Sequence, residues 1–230
     1  MSKHSSDREV VLPEPLAATK RLSRQLVEET GIDGAGVAVF ATASTRDLVF
    51  ATDVVAEELD EMQFAVGEGP CLDAYRFARP ELHDDMAGGA ALTRWPVFST
   101  QATGLGAASV YAYPLDGGEG TTFGVLELYG RAPVAMAPRE DAVCRLFAQS
   151  VARAVVTELD PAFVMMAGSD DGVFRRGNVQ IASGMLAARF RISVEEAVVR
   201  LRAMAFSQQR RITAVAHDII GGGCFDADAS

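Results

Sequence analysis

Two apolar runs separated by a glycine-rich pentapeptide constrain the fold more than any other feature of this chain. Ala108–Leu115 (ASVYAYPL) and Thr122–Gly130 (TFGVLELYG) carry β-branched and aromatic residues, and the Asp116–Gly120 segment between them (DGGEG) has the composition of a hairpin loop. A bare hairpin is marginal in water, so an apolar element must cover it. The amphipathic helix predicted over Pro138–Leu159 does so, with Val143, Leu146/Phe147, Val151, Ala154/Val155 and Leu159 on one stripe.

Upstream, Glu14–Thr30 shows helical spacing with Leu16, Leu22 and Leu26, and Gly31 stops it. Gly36–Ala43 and Asp47–Thr52 read as an antiparallel pair about a Ser44–Arg46 turn. Residues 54–65 predict a helix of mixed pattern, Val66–Cys71 (VGEGPC) a loop, and Cys71–Ala78 a short helix. Glu81–Met86 predicts an edge strand, and Arg94–Thr103 a helix opened by Trp95-Pro96. Runs of strands between helices specify an α+β domain: an antiparallel sheet flanked by helices. The 54–105 region should cover its second face and leave a pocket there.

The best linker is Gly168–Gly172 (GSDDG), and residues 1–13 read as a loose leader. Beyond the linker come three helical patterns. Val173–Arg189 is the first. The second starts at Ser193, with Glu196 completing a capping box, and the third runs through Ile212, Val215, Ala216, Ile219 and Ile220 to Gly221–Gly223. The chain thus divides into an α+β unit at 14–160 and a small all-α three-helix unit at 173–223. Some fifty residues bury little core, so the smaller unit should lean on its neighbour or on a second copy.

Composition narrows the function. With 49% apolar and 23% charged residues over 230 positions, the chain is a folded globular protein. No apolar run approaches a membrane span, and the polar N-terminus lacks a secretory core. Three cysteines without a CxxC pair fit a reducing, cytoplasmic setting. The three histidines have no metal-ligand spacing, and adjacent His83, Asp84 and Asp85 on a strand alternate faces, so no metal site is expected. Nucleophile-elbow, Walker and dinucleotide-binding signatures are missing, so no catalytic activity is expected. The formal charge is −10, yet residues 173–220 carry +5 (eight arginines against three acids) and residues 1–172 carry −13. An acidic body with a basic end suggests two modules with different partners.

The basic end resembles the ANTAR domain, through Ala182-Ser183-Gly184-Met185-Leu186, Arg189, Ser193–Ala197, Leu201-Arg202, Ala205, Arg210-Arg211-Ile212 and Val215-Ala216. The larger unit resembles a GAF domain, through Val66–Ala74 (VGEGPCLDA) and Phe123–Leu128. The resemblance implies a cytoplasmic regulator, dimeric through its long helices. A GAF-like sensor would control a tail that grips two RNA stem-loops and prevents transcription termination. It places RNA contacts at Ala182, Ser183, Gly184, Arg189, Arg202, Arg210 and Arg211. Two positions depart from the ANTAR pattern: Ser183 stands where Lys is usual, and Ala214 where an acid is usual. The first removes a cationic contact to RNA.

The candidate sensor pocket comprises Phe40, Gly69, Cys71, Tyr111, Tyr113 and Glu127, and would take a small molecule. No cofactor is assigned. Each site has a plainer reading. Arg210 and Arg211 could merely solvate a helix start, although cations are disfavoured there. Ala182 and Gly184 could serve close helix packing. Cys71 could be a small buried hydrophobe rather than an acidified thiol. Glu127, opposite in phase to Leu126 and Leu128, could face solvent. A three-helix basic tail is also compatible with a helix-turn-helix-like DNA-binding regulator, or with a protein-docking scaffold.

Overall fold

A computed structural model describes residues 14–42, 45–118, 121–159 and 176–221. Helix α1 (Ala17–Thr30) ends on Gly31, whose positive φ of 70° suits glycine. Strands β1 (Gly34–Thr42) and β2 (Thr45–Ala51) follow, then α2 (Val54–Val66), α3 (Pro70–Phe77), β3 (Glu81–His83), α4 (Gly89–Arg94) and α5 (Pro96–Gly104). Strands β4 (Ser109–Asp116) and β5 (Thr122–Gly130) form the expected hairpin, and α6 (Pro138–Glu158) closes the larger unit. All pairings are antiparallel, in the order β2-β1-β5-β4-β3.

Alternation along the strands builds two cores. Val37, Tyr111, Tyr113, Leu115, Leu126 and Leu128 pack with Leu26 of α1 and Cys144, Val151 and Val155 of α6. On the other face, Ala38, Phe40, Ala112 and Val125 meet Cys71, Leu72 and Ala74 of α3. Alongside them Val110 and Tyr129 meet Leu59, Trp95 and Phe98. The two long helices are tied by Glu158. Its Oε1 accepts from the Ala18 N–H at 2.7 Å, and its Oε2 from the Thr19 N–H and hydroxyl at 3.1 and 2.7 Å. A carboxylate there satisfies orphan donors at the α1 N-terminus.

The small unit consists of α7 (Gly177–Phe190), α8 (Val194–Ser207) and α9 (Ile212–Ile220). Val179, Leu186, Ala197, Leu201, Ile212, Val215 and Ile219 form its core, and Phe64 of α2 inserts into it. The Ser193 hydroxyl caps α8 by accepting from the Glu196 N–H at 3.0 Å. Ser193→Ala should cost about 1 kcal/mol. Chemical denaturation monitored by circular dichroism checks this, and an unchanged midpoint would remove the cap from the account.

Several boundaries differ from the sequence expectation. The helix expected over Arg94–Thr103 starts at Pro96, and the unexpected α4 before it ends at Arg94, because the residue before Pro96 is driven out of helical geometry (φ −137°, ψ 71°). The expected edge strand Glu81–Met86 pairs over three residues. Arg46, expected in a turn, lies in β2 opposite Phe40 and is buried. The described part of the first tail helix runs Gly177–Phe190, and its expected start at Val173 lies outside the described residues. The leader, the linker at 168–172 and Gly222–Gly223 lie outside the described residues. Among the described residues no helix is long and apolar enough to cross a membrane.

Candidate functional site

The VGEGPC loop assigns a separate task to each residue. Gly67, at φ 79°, ends α2 and donates its N–H to the Gln63 carbonyl. Glu68 Oε1 accepts from the N–H groups of Val97 and Phe98 at 2.8 and 3.0 Å, an anion at the α5 N-terminus. Gly69 sits at φ 141°, and a Cβ there would meet the Gln63 side chain at 2.3 Å. Pro70 starts α3, where its missing N–H costs nothing. The Cys71 N–H donates to Gln63 Oε1 at 2.8 Å, and Gln63 Nε2 donates to Glu127 Oε2 at 2.6 Å. Gln63 therefore bridges α3 to β5 through buried bonds, and the glycine leaves room for it.

A buried ionic cluster continues from this bridge. Asp60, one helical turn before Phe64 on α2, ion-pairs with Arg46 of β2 and with Arg176 at the head of the tail. Arg46 Nη2 also donates to the Asp60 carbonyl at 2.7 Å, and its Nη1 lies 3.5 Å from Cys71 Sγ. Arg176 reaches Asp60 Oδ2 at 2.6 Å and Glu61 Oε2 at 2.9 Å, and its N–H donates to Asp47. The Phe64 ring lies 4.1 Å from the Arg176 guanidinium, 5.5 Å from that of Arg202 and 5.8 Å from that of Arg46. These are cation–π distances in a desolvated setting, where such contacts are strongest.

Burial dictates the protonation chemistry. It opposes charge on Asp60, but Arg46 and Arg176 outweigh it and hold the carboxyl below its ordinary range. Asp47 is pushed up by burial despite the Arg176 contacts. Glu127 is pushed up to about 7 by burial, with Asp60 adding to the shift and Gln63 and Arg46 opposing it. Burial also pushes the Cys71 thiol well up, so it is a buried hydrophobe rather than an acidified nucleophile. Arg202 is lowered to about 10 by burial and by its cationic neighbours Arg46 and Arg176.

The residues expected to line one sensor pocket separate onto two faces. Phe40, Gly69, Cys71 and Glu127 lie on the α2–α3 side. Phe40 stacks on Tyr75 at 4.1 Å, and its neighbours fill the space beneath α3. Tyr111 and Tyr113 point to the α1–α6 side, where Tyr111 donates to the Val134 carbonyl and Tyr113 to Asp141 Oδ1 at 3.0 Å. The register explains the split: Glu127 pairs with Ala112 and so shares its face, while Tyr111 and Tyr113 alternate away. The two tyrosines are therefore corrected out of the pocket. Glu127 does not face solvent either, since Gln63 holds it inside.

The residues expected to contact RNA also divide. Ala182 and Ser183 are fully buried, the first in the tail core, so in this arrangement neither forms an open surface. Arg202 folds back onto α2, its Nε donating to the Phe64 carbonyl at 2.7 Å. In this arrangement these three residues are not presented together with the exposed ones. Gly184 is exposed, with open space where a Cβ would stand, and Arg189 is exposed in the last turn of α7. Arg210 is exposed and pairs with Asp218 at 2.8 Å, and exposed Arg211 pairs with Glu58 of α2. Glu58, Asp60, Glu61 and Phe64 thus make α2 the seat of the tail. Its own sequence pattern did not show this role. The usable signal was four acidic residues, Glu57, Glu58, Asp60 and Glu61, and one amide, Gln63, interrupting an otherwise apolar helix.

A family model described as "GAF domain" matches residues 17–156. No curated protein matches the chain. Among solved structures, a domain assigned to a two-component sensor histidine kinase from Sinorhizobium meliloti 1021 shares 19% identity at a TM-score of 0.48, covering 61% of this chain and 89% of that one. GAF3 in its photoproduct state, from a Synechocystis protein, shares 16% at 0.48, covering 60% and 91%. The type II free methionine-R-sulfoxide reductase of Thermoplasma acidophilum shares 14% at 0.44, covering 62% and 92%.

Proposed function

We propose, from the premise that this chain belongs to the GAF domain family, that it is a signalling regulator whose sensor unit governs an RNA-binding tail. The carrying observation is that α2 is shared. Its inner side holds Glu127 through Gln63, and its outer side holds Arg176, Arg202 and Arg211. A change on the sheet side that shifts α2 must therefore be felt by the tail. The tail supplies the output: a charge of +5 over residues 173–220, with Arg189, Arg210 and Arg211 exposed. Guanidiniums suit phosphates and splayed loop bases. Together with the ANTAR-like pattern, this favours structured RNA and control of transcription termination.

The docked arrangement is the closed state in this reading. Arg202 reaches RNA once the tail leaves α2, while Ala182 stays within the tail core. A second copy, joined through α1 and α6, would offer two tails to two stem-loops, and the second contact then gains from effective concentration.

Sequencing RNA crosslinked to the protein in cells tests the reading. A shared two-hairpin element upstream of terminators is expected, whereas displacement of such RNA by double-stranded DNA at equal phosphate would sink it. Arg210→Ala with Arg211→Ala should weaken RNA retention and flatten its salt dependence, by roughly one unit of slope per lost phosphate contact. An unchanged slope would place the contact surface elsewhere.

A further inference from the structure

The space beneath α3 is filled, yet a cleft of about 690 Å³ opens where the tail meets the sensor. It is far larger than the cavity of about 160 Å³ beside Tyr111 and Gly31. Its size falls within the roughly 300–1,000 Å³ typical of small-molecule sites, which favour boundaries between units. One wall is α2, through Glu61, Met62 and Val66, and the other is the α8–α9 corner, through Phe206, Arg210 and Arg211. Gln209, at φ 51°, turns that corner so that the arginines follow directly behind Phe206.

Two features of the lining define a ligand. Phe206 is 70% exposed on a helix whose other large apolar residues include the buried Leu201, and with Met62 and Val66 it offers a face for a planar apolar body. Arg210 pairs with exposed Asp218 and Arg211 with half-buried Glu58, and a guanidinium has five N–H donors. Each arginine therefore keeps donors for a ligand anion.

We infer that this cleft binds a small aromatic acid, a carboxylate or phosphate on a planar apolar body, and that the ligand clamps the tail onto α2. The sign follows from the walls: a ligand touching both units binds the docked arrangement better and shifts the population toward it. The binding claim stands apart from the RNA reading. The regulatory consequence rests on that reading, in which the ligand lowers RNA affinity.

Indole-3-acetate carries both groups and serves as the probe. Amide NMR of the full-length chain, titrated to about 10 mM, should show saturable shifts confined to α2 and the α8–α9 corner. Phe206→Ala, and separately Arg210→Ala with Arg211→Ala, should each weaken binding about tenfold, as should exchange of the probe for neutral indole-3-acetamide. These side chains are exposed, so the variants keep the fold. Bound probe should also slow hydrogen exchange in α7–α9, a readout that needs no RNA. Shifts centred on Tyr111 or beneath α3, no saturable shift at all, unchanged affinity in both variants, or unaltered exchange would each overturn the proposal. Failure to retain RNA would not bear on these readouts.

Discussion

Asp60→Ala should destabilise the protein by about 3–5 kcal/mol, lowering the melting midpoint by roughly 10 °C for a chain of this size. The carboxylate is almost fully buried and touches two buried guanidiniums. Forming such a cluster gains little, because desolvating three charges offsets their attraction. Breaking it is another matter. Removing Asp60 leaves Arg46 facing Arg176 around one phenylalanine ring, both buried, with Arg202 beside them. Asp60→Asn keeps an acceptor and should cost less. Arg176→Ala leaves Asp60 with Arg46 and should loosen the tail more than the sheet. Acid provides the cross-check. Because the folded-state carboxyl sits below its ordinary range, its contribution is present near neutral pH and is lost as pH falls below about 4. The variant has no such contribution to lose. Melting curves of both proteins across that window decide the matter, and parallel acid profiles would show that Asp60 is not the keystone of the cluster.

The sequence disclosed what depends on local period and concealed what depends on distant partners. The β4–β5 hairpin, α6 and the Ser193 cap were legible because strand alternation, helical stripes and cap residues act within a few positions. Helix α2 was legible as a helix but not as a hub. Both its sides are covered, by the sheet and by the tail, and the buried residues include Asp60 and Gln63, so no single apolar stripe marks it. Arg46 resembled a turn residue because its partner lies 14 positions on, and Arg202 resembled a free cation because its acceptor lies 138 positions back. Ala182 and Ser183 illustrate a degeneracy. A small side chain serves close helix packing as well as close approach by a base, and composition cannot separate the two. The split of Glu127 from Tyr111 and Tyr113 needed the register between β4 and β5, which follows from the hairpin and not from either strand alone.

Glu127→Gln should stabilise the protein in alkali and leave it nearly unchanged in mild acid. Glu127 lies in β5 opposite Ala112, buried, and its Oε2 accepts from Gln63. Burial, with Asp60 nearby, pushes its folded-state value to about 7 from an ordinary 4.5. The unfolded chain therefore gives up this proton well before the folded chain does. Between those two values the folded state holds more protons, so stability falls as pH rises, and above about 7 the penalty levels off near 3 kcal/mol. Glutamine keeps an acceptor for the Gln63 N–H and has no charge to desolvate. Urea denaturation should show the two proteins within about 1 kcal/mol of each other at pH 5 and separated by about 3 kcal/mol, in favour of the variant, at pH 8. This slope opposes the one expected for Asp60, so the two carboxylates are separable in a single pH series. Glu127 also meets the sheet-facing side of the helix that seats the tail. If its ionisation disturbs α2, hydrogen exchange in α7–α9 should quicken from pH 6 to pH 8 beyond the intrinsic rise in the wild type, and not in Glu127→Gln. Identical urea profiles at pH 8 would mean that water reaches the carboxylate, and the sheet-side route to the tail would lose its only titrating group among the described residues of the Gln63 bridge.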